Sequence, residues 1–376
     1  MPQSKYSKEA PTVEITISIP VFPTLDLSKK YTYLIGNNGV GKSRMLEHNA
    51  KKIALQQDVV VIASGLTDKF RFGKVVRKEK QGSYTYLGNR TVGNASHITT
   101  LSANAVLHYV ESLKRGTSSI LSDFLVRLGF DPVVYVTPRA TKKTRAEDAG
   151  FNRSILDTPF VEQHSRVLAN PVKPFSLSIS KRDEQISFTD LSSGEQNIIS
   201  TALKIISNLK EGVIFFVDEP EISLHLEWQL AWPSLVHRII SSANNCRMVV
   251  ATHSPVLISS AMAVGASCFN MEQGSGLRVI TRDDINVEML MLKEFHTYTP
   301  KNKALFEEFA RILSMAIDHV NDSAYTKSSI KSELDALKKR IQDLATSDAD
   351  SQGVIGAAEE FEGAVLEILN RNGNHA

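Results

Sequence analysis

The sequence predicts an α/β protein with a largely parallel sheet, and three observations support that prediction. Short apolar runs at 58–64 (DVVVIAS) and 213–218 (VIFFVD) have the length and composition of strands that are buried on both faces of a sheet. Helical periodicity follows near 43–56 and 226–242. After about Asn302 the pattern is helical alone. Strands that alternate with helices favour a parallel sheet covered by helices, here followed by a C-terminal helical extension.

The remaining predicted elements fit the same arrangement. Residues 13–21 alternate strictly between apolar and polar side chains, which predicts a half-buried strand. A second strand at 31–36 (YTYLIG) ends in a glycine-rich loop. Further along the chain the pattern predicts a helix near 104–114 and strands at 133–138 (VVYVTP) and 247–251 (RMVVA).

Composition excludes several classes of protein. The 376 residues are 42% hydrophobic and 22% charged, as in ordinary globular proteins, and no run of about 18 apolar residues could span a membrane. Residues 1–11 are polar and lack the apolar core of an export signal, so we predict a disordered lead-in and a cytoplasmic protein. Cys246 and Cys268 lack the spacing of metal ligands. The net charge of +2 says little about partners.

The first motif that carries chemistry is the loop GNNGVGKS at 36–43. It fits the pattern G-x-x-x-x-G-K-[ST] between a predicted strand and a predicted helix. Its glycines let successive backbone N–H groups close around a β-phosphate. The Lys42 ammonium can lie near the β- and γ-phosphates, and the Ser43 hydroxyl can ligate Mg²⁺. The predicted nucleotide-binding residues are Gly36, Asn37, Asn38, Gly39, Val40, Gly41, Lys42 and Ser43.

Two adjacent carboxylates, Asp218 and Glu219, end the apolar strand at 213–218. An acid at the tip of a parallel strand can hold Mg²⁺ through its water shell, which is the role predicted for Asp218. The next acid, Glu219, can orient and deprotonate an attacking water. Alternatively, either acid caps the following helix. The phosphate loop upstream favours the catalytic interpretation.

A histidine follows the strand at 247–251 in the segment ATHSP, where Pro255 begins a helix. A lone histidine at a strand end is more often a structural residue with satisfied hydrogen bonds. Beside a phosphate loop we predict instead that His253 contacts the γ-phosphate and takes part in catalysis.

The stretch LSSGEQ at 191–196 opens a helical apolar pattern. The N-terminus of a helix presents unpaired backbone N–H groups, which can bind an anion. The segment therefore has two interpretations, a simple helix cap or an anion site built from Ser193, Gly194 and Glu195.

Taken in order, GNNGVGKS, LSSGEQ, VIFFVDEPE and ATHSP resemble the ATP-binding-cassette (ABC) class of ATPases. The resemblance implies an α/β P-loop head with a mixed, mostly parallel sheet and a helical signature lobe. It also implies that LSSGEQ is the ABC signature, which contacts the γ-phosphate of ATP held by another protomer. One chain has one set of motifs, so the implied unit is a head-to-tail homodimer that binds two ATP molecules with Mg²⁺. The implied head spans 12–295, with an inserted region at 74–210 and a C-terminal helical region at 296–376.

Within this class, the segment DEPEISLH resembles overcoming-lysogenisation-defect (OLD) nucleases and stand-alone ATPases of anti-phage systems such as Septu and retron-associated modules. Two features differ from the class. The loop ASGLTDKF has no glutamine where the class places one, so Ser64 or Asp68 is the candidate replacement. The chain after about 296 lacks the acidic pattern of the OLD nuclease domain, so we predict no nuclease activity in this chain.

Two further segments have both a structural and a functional interpretation. The basic stretch at 138–153 is either an exposed loop or a contact for the DNA backbone, made by Arg139, Lys142, Lys143, Arg145 and Arg153. The apolar spacing of Ile330, Leu334, Leu337, Ile341 and Leu344 predicts a helix that either packs within its own domain or binds a partner or a second copy.

Three functions therefore remain open from the sequence. The favoured one is an ATP-driven dimeric switch that gates a separately encoded effector, such as a nuclease, in anti-phage defence. The second is a DNA-repair or chromosome-maintenance ATPase similar to SMC and RecF proteins. The third, the ATPase subunit of a membrane transporter, fits poorly because the segment after Glu219 differs from that of transporter cassettes.

Overall fold

The computed structural model describes residues 22–65, 75–76, 82–88, 98–140, 150–272, 276–281, 286–294, 303–322, 325–344 and 349–371. The strands are β1 (Tyr31–Ile35), β2 (Val59–Ala63), β3 (Val75–Val76), β4 (Ser83–Tyr86), β5 (Val134–Pro138), β6 (Ser154–Ile155), β7 (Phe175–Lys181), β8 (Glu184–Ser187), β9 (Ile214–Asp218), β10 (Arg247–Ala251), β11 (Ser267–Glu272) and β12 (Gly276–Val279). The helices are α1 (Lys42–Ile53), α2 (Ile98–Lys114), α3 (Ser118–Arg127), α4 (Thr158–Gln163), α5 (Ser165–Leu168), α6 (Ser193–Ile206), α7 (Leu226–Ser241), α8 (Pro255–Ala263), α9 (Val287–Glu294), α10 (Lys303–Asp322), α11 (Lys327–Leu344) and α12 (Ala349–Arg371).

The larger sheet is mixed and mostly parallel, with the strand order β12-β11-β1-β10-β9-β2-β4-β3. β1 lies between β10 and β11 and is parallel to both. β9 is parallel to β10 and β2, and β4 is parallel to β2. The two outermost described strands, β12 and β3, are antiparallel to their neighbours. This arrangement confirms the predicted α/β class.

Helices cover both faces of this sheet because its central strands are apolar on both sides. On one face, Leu34, Val61 and Phe216 pack against Met45 and Leu46 of α1, with further apolar neighbours. On the other face, the alternate residues of the same strands belong to a second and larger core, which includes the apolar sides of α6, α7 and α8. The side chains of β2 and β9 are buried throughout, as the continuous apolar runs predict.

The four strands between α3 and α6 form a second sheet. Its order is β6-β5-β7-β8, and all its pairs are antiparallel. The predicted strand at 133–138 therefore forms, as β5, outside the larger sheet. The predicted helix near 104–114 is longer than expected and begins at Ile98.

The last three helices, α10, α11 and α12, share an apolar core of their own. Four residues of the predicted stripe on α11, Ile330, Leu334, Leu337 and Ile341, are buried in this core, and the side chain of Leu344 lies outside the described part of the chain. This confirms that the stripe packs within its own helical region. Among the described residues, no helix is both long enough and apolar enough to cross a membrane.

Several predictions fall on residues that the structure does not describe. These are the lead-in at 1–11, the strand at 13–21, Asp68 and the basic residues Lys142, Lys143 and Arg145. The DNA-contact interpretation of 138–153 and the domain boundaries near 11, 74, 210 and 295 remain predictions.

Acid is expected to destabilise this fold through His237 of α7. The imidazole stacks on the Tyr31 ring, with 3.6 Å between centroids, and its Nε2 atom lies 2.9 Å from the Tyr33 hydroxyl. Burial lowers the pKa of His237 to about 3 from its ordinary 6.5. Because the unfolded chain binds a proton that the folded chain does not, the free energy of unfolding should fall by about 1.4 kcal/mol per pH unit as the pH drops below about 6.5.

The variant His237→Gln removes the titrating ring and keeps a hydrogen-bond acceptor for Tyr33. Denaturant unfolding measured between about pH 4.5 and 6.5 should therefore give a shallower pH dependence than in the wild type, by about one proton. The wild-type slope in the variant would contradict this prediction. Burial also lowers the pKa of His108 to about 3, so part of the acid sensitivity should remain.

Candidate functional site

Four loops meet at one edge of the larger sheet. Because β1, β10, β9 and β2 are parallel neighbours, their carboxyl ends lie side by side. The loop 36–43 follows β1, His253 follows β10, Glu219 follows β9 and Ser64 follows β2. The topology thus brings together residues that are more than 200 positions apart in the chain.

The loop 36–43 has the backbone of a phosphate-binding turn. Gly39 and Gly41 have φ angles of 84° and 101°, a region that favours glycine. A Cβ atom on Gly36 would lie 2.6 Å from the carbonyl oxygen of Met271 on β11, so no larger residue fits there without a shift of backbone. Each glycine is therefore required by the shape of the loop, and the loop leads directly into α1.

Lys42, the first residue of α1, is buried under this loop. Its ammonium donates to the carbonyl oxygens of Gly36 at 2.6 Å and Asn37 at 3.3 Å, and it lies 3.1 Å from Nδ1 of His253. Burial lowers the pKa of Lys42 to about 8, and the carboxylates of Glu219, Asp218 and Glu221 oppose this shift. The lysine is thus a buried cation beside a turn of backbone N–H groups.

Asp218 and Ser43 face each other across the gap between β9 and α1. The Ser43 hydroxyl donates to Oδ1 of Asp218 at 3.2 Å. Burial raises the pKa of Asp218 to about 7, and the hydrogen bond from Ser43 opposes this shift. A carboxylate and a hydroxyl are hard oxygen ligands, which is the ligand chemistry that Mg²⁺ prefers.

Glu219 and His253 are in contact beside Asp218. The His253 Nε2 atom lies 3.5 Å from Oε1 of Glu219, and this contact lowers the pKa of the glutamate. Since Lys42 donates to Nδ1, we assign the imidazole proton to Nε2, where it faces Glu219. Glu219 has a φ angle of 50°, which is uncommon outside glycine and marks a strained backbone next to the site.

A third acid, Glu221, also lies at the site. Its Oε1 atom accepts a hydrogen bond from the backbone N–H of His253. Its Oε2 atom is buried and accepts no hydrogen bond from the residues that the structure describes. Burial raises the pKa of this carboxyl group. Sequence reasoning missed Glu221, although its position two residues after Glu219 was the available signal.

The segment LSSGEQ at 191–196 begins α6 with a complete capping box. The Ser192 hydroxyl accepts a hydrogen bond from the Glu195 N–H, and the Glu195 carboxylate accepts one from the Ser192 N–H. Ser193 is exposed, whereas Gly194 is buried. A Cβ atom on Gly194 would lie 2.9 Å from the carbonyl oxygen of Ser223. In this chain Gly194 therefore packs against the turn that follows β9, and the neighbouring Ser193 is the accessible residue.

Ser64 and Asp68 are the candidate replacements for the missing glutamine. Ser64 is buried, and its hydroxyl lies 3.4 Å from Oδ1 of Asn197 on α6. It therefore has a partner in its own chain, and a metal contact by Ser64 remains a prediction. Asp68 lies outside the described residues.

The donors at this edge fit a nucleotide triphosphate and a divalent cation. The glycine backbone of 36–41 forms a turn that a Cβ atom at Gly36 would disrupt, and the buried Lys42 ammonium lies beside it. Asp218 and Ser43 would hold Mg²⁺, which supplies positive charge to the phosphate oxygens when bound. The individual roles of these residues are proposals.

A family-profile comparison covers part of this site. A protein-family profile described as "AAA domain, putative AbiEii toxin, Type IV TA system" matches residues 109–259, less than half of the chain. That match covers α6, β9, Glu219 and His253, whereas the loop 36–43 lies outside it. The fold is that of a P-loop ATPase. Such a fold implies a nucleotide ligand and, typically, Mg²⁺.

Two solved structures are similar to the chain. One is described as "An inward-facing conformation of a putative metal-chelate type ABC transporter", with 17% identity, 72% of this chain and 80% of that chain covered, and a TM-score of 0.33. The other is described as "Crystal structure of the SmcHead bound to the C-winged helix domain of ScpA", with 13% identity, 67% and 90% covered, and a TM-score of 0.35. No curated relative matches the chain.

Proposed function

We propose that this chain hydrolyses ATP and works as a dimeric switch that gates a separately encoded effector, such as a nuclease, in bacterial anti-phage defence. ATP binding closes a head-to-tail homodimer, and hydrolysis opens it. ATP hydrolysis is supported by one observation: Lys42, His253 and Glu219 contact one another in sequence beside the Ser43–Asp218 pair. A helix cap or a structural histidine alone gives no reason for these groups to converge.

Each residue has a role in this proposal. The loop 36–43 and Lys42 bind the phosphates, and Ser43 and Asp218 hold the cation. Glu219 accepts the proton of the attacking water, and His253 contacts the γ-phosphate and orients Glu219. Ser193, with the N-terminus of α6, docks on the nucleotide of the partner chain, since it is exposed and begins a capped helix.

Replacing Lys42 tests the nucleotide site directly. Lys42→Ala removes the charge beside the phosphates, so ATP affinity should drop by about tenfold or more. Titration calorimetry measures the affinity, and sedimentation with a non-hydrolysable ATP analogue measures dimer formation, which should fail in the variant. Lys52, on the last turn of the same helix, gives the matched control, because it is exposed and Lys52→Ala should leave both properties unchanged. Wild-type affinity in Lys42→Ala would contradict the assignment.

The effector part rests on the resemblance of DEPEISLH to defence ATPases and on the profile description, which names a toxin and a TA system. Cells that carry the chain together with the protein encoded beside it should resist phage infection, and Lys42→Ala should abolish that resistance. Protection that survives both Lys42→Ala and removal of the neighbouring gene would contradict gating. Sensitivity to DNA damage instead of phage would point to the repair alternative.

A further inference from the structure

The strongest unassigned feature near the site is a set of contacts between α6 and the turn at 219–223. Asn197, one helical turn after Ser193, donates from its side-chain amide to the carbonyl oxygens of Pro220 at 3.2 Å and Ile222 at 2.5 Å. Its Oδ1 atom lies 3.4 Å from the hydroxyls of Ser64 and Thr201. Asn197 therefore ties the signature helix to the turn that contains Glu219.

A second contact joins the same two elements. Gly194 lies so close to this turn that a Cβ atom would be 2.9 Å from the Ser223 carbonyl oxygen. Because Ser193 and Asn197 are four residues apart, they lie on the same side of α6, about 6 Å apart along its axis. The turn at 219–223 therefore contacts the first turn of α6 at two positions, Gly194 and Asn197.

The segment itself is held in an unfavourable conformation. Glu219 and Ser223 have φ angles of 50° and 66°, which residues with a side chain adopt only when their surroundings impose them. On its other side, Glu221 accepts a hydrogen bond from the backbone N–H of His253. A displacement of α6 would therefore move a strained turn that carries Glu219 and holds the His253 loop.

We propose that Asn197 is a positioning residue that couples the two ATP sites of the dimer. This inference rests on the proposed function, in which Ser193 of one chain contacts the nucleotide of its partner. When Ser193 docks on that nucleotide, the position of α6 is fixed. The hydrogen bonds of Asn197 then fix the position of the turn at 219–223. Glu219, which belongs to this turn, is thereby positioned for hydrolysis of the ATP bound by its own chain. The nucleotide in one site thereby sets the rate in the other.

Heterodimers with two affinity tags test this coupling. The reporting chain, whose hydrolysis is measured, is wild type or Asn197→Ala. Its partner carries one of two substitutions that prevent ATP hydrolysis in the partner's own site. A Glu219→Gln partner binds ATP without hydrolysing it, whereas a Lys42→Ala partner does not bind it. Single-turnover hydrolysis in the reporting chain is measured with each partner at saturating protein concentration, and the ratio of the two rates is the coupling.

For the wild-type reporting chain we expect a ratio of about fivefold or more in favour of the ATP-holding partner. For Asn197→Ala the ratio should fall to about one. Asn208→Ala is the matched control, because the Asn208 amide donates to the carbonyl oxygen of Lys204 at the far end of α6, away from the turn at 219–223. The control variant should keep the wild-type ratio of rates. If Asn197→Ala acted only by destabilising α6, the ratio would fall in the control variant as well.

The outcomes distinguish a failure of the coupling from a failure of the proposed ATPase function. Wild-type turnover with a ratio of one, or an unchanged ratio in Asn197→Ala, overturns the coupling and leaves the ATPase intact. Absence of turnover in the wild-type homodimer overturns both. If Asn197→Ala does not fold, as judged by its melting temperature and ATP affinity, Asn197→Ser keeps a donor that is too short to reach both carbonyls and should give an intermediate ratio.

Discussion

Glu219→Gln is expected to lower ATP turnover by roughly a hundredfold or more while leaving ATP binding intact. Glutamine has nearly the size of glutamate and can still contact His253, but it cannot accept the proton of the attacking water. In the proposed function hydrolysis opens the dimer, so an ATP-bound dimer should accumulate. Single-turnover hydrolysis measures the rate, and size-exclusion chromatography with ATP measures the dimer.

The structure supplies a control for this variant. Glu221 is a second acid two residues away, and its Oε1 atom contacts the His253 backbone rather than its ring. If a nearby carboxylate of any kind were sufficient, Glu219→Gln would retain turnover through Glu221. Wild-type turnover in Glu219→Gln would therefore show that Glu219 is not the proton acceptor. If turnover were lost only when Glu219→Gln and Glu221→Gln are combined, Glu221 could take that role.

Ser193→Asp is expected to abolish ATP hydrolysis and ATP-dependent dimerisation together. The substitution places a carboxylate where the γ-phosphate of the partner's ATP should dock, and opposed like charges in an interface cost several kcal/mol. Ser193 is exposed and begins α6, where an acidic side chain stabilises the helix, so the lone chain should fold and bind ATP normally. Ser193→Asn, of similar size and without the charge, is the matched control and should retain more activity.

Mixing experiments decide whether the site is shared between chains. A dimer of Ser193→Asp with Lys42→Ala can form one intact site, from Lys42 of the first chain and the signature of the second. With random pairing, equal amounts of the two inactive variants should recover at most about a quarter of wild-type ATPase activity, and about a twentieth if the fivefold coupling proposed above applies. No recovery, or normal hydrolysis by Ser193→Asp alone, would leave LSSGEQ as a helix cap.

Gly194 is a less suitable position for the same test, although the sequence pattern draws attention to it. A side chain there would meet the Ser223 carbonyl oxygen within its own chain. A loss of activity in Gly194→Asp would therefore not separate a disturbed turn from a blocked interface.

The sequence predicts the site well where a short motif and a strand order define it. The spacing of 36–43 and the acids at the end of β9 identify the candidate phosphate- and metal-binding groups, because loops at the carboxyl ends of neighbouring parallel strands lie at the same edge of the sheet. Asn197 and Glu221 could not be assigned in the same way. Their roles depend on contacts with backbone groups of distant segments, which residue type and spacing do not reveal.

The fold, like the site, can be predicted from the sequence only in part. Continuous apolar runs identify β2 and β9, since strands covered on both faces require them. The pattern also predicts the strand at 133–138, but not that it lies in a separate antiparallel sheet. Pairing partners depend on the path of the whole chain, and local alternation carries no information about that path.

The central position of β1 has a consequence for biosynthesis. Its two neighbours, β10 and β11, begin at Arg247 and Ser267, so the ribosome must make more than 200 further residues before β1 can pair. At ordinary rates of translation this delay is on the order of 10 to 50 s. During that time the backbone N–H and C=O groups along both edges of β1 remain unpaired and its apolar faces uncovered, so a chaperone that shields nascent strands should increase the yield of native protein. The candidate nucleotide site is thus among the last parts of the molecule to form.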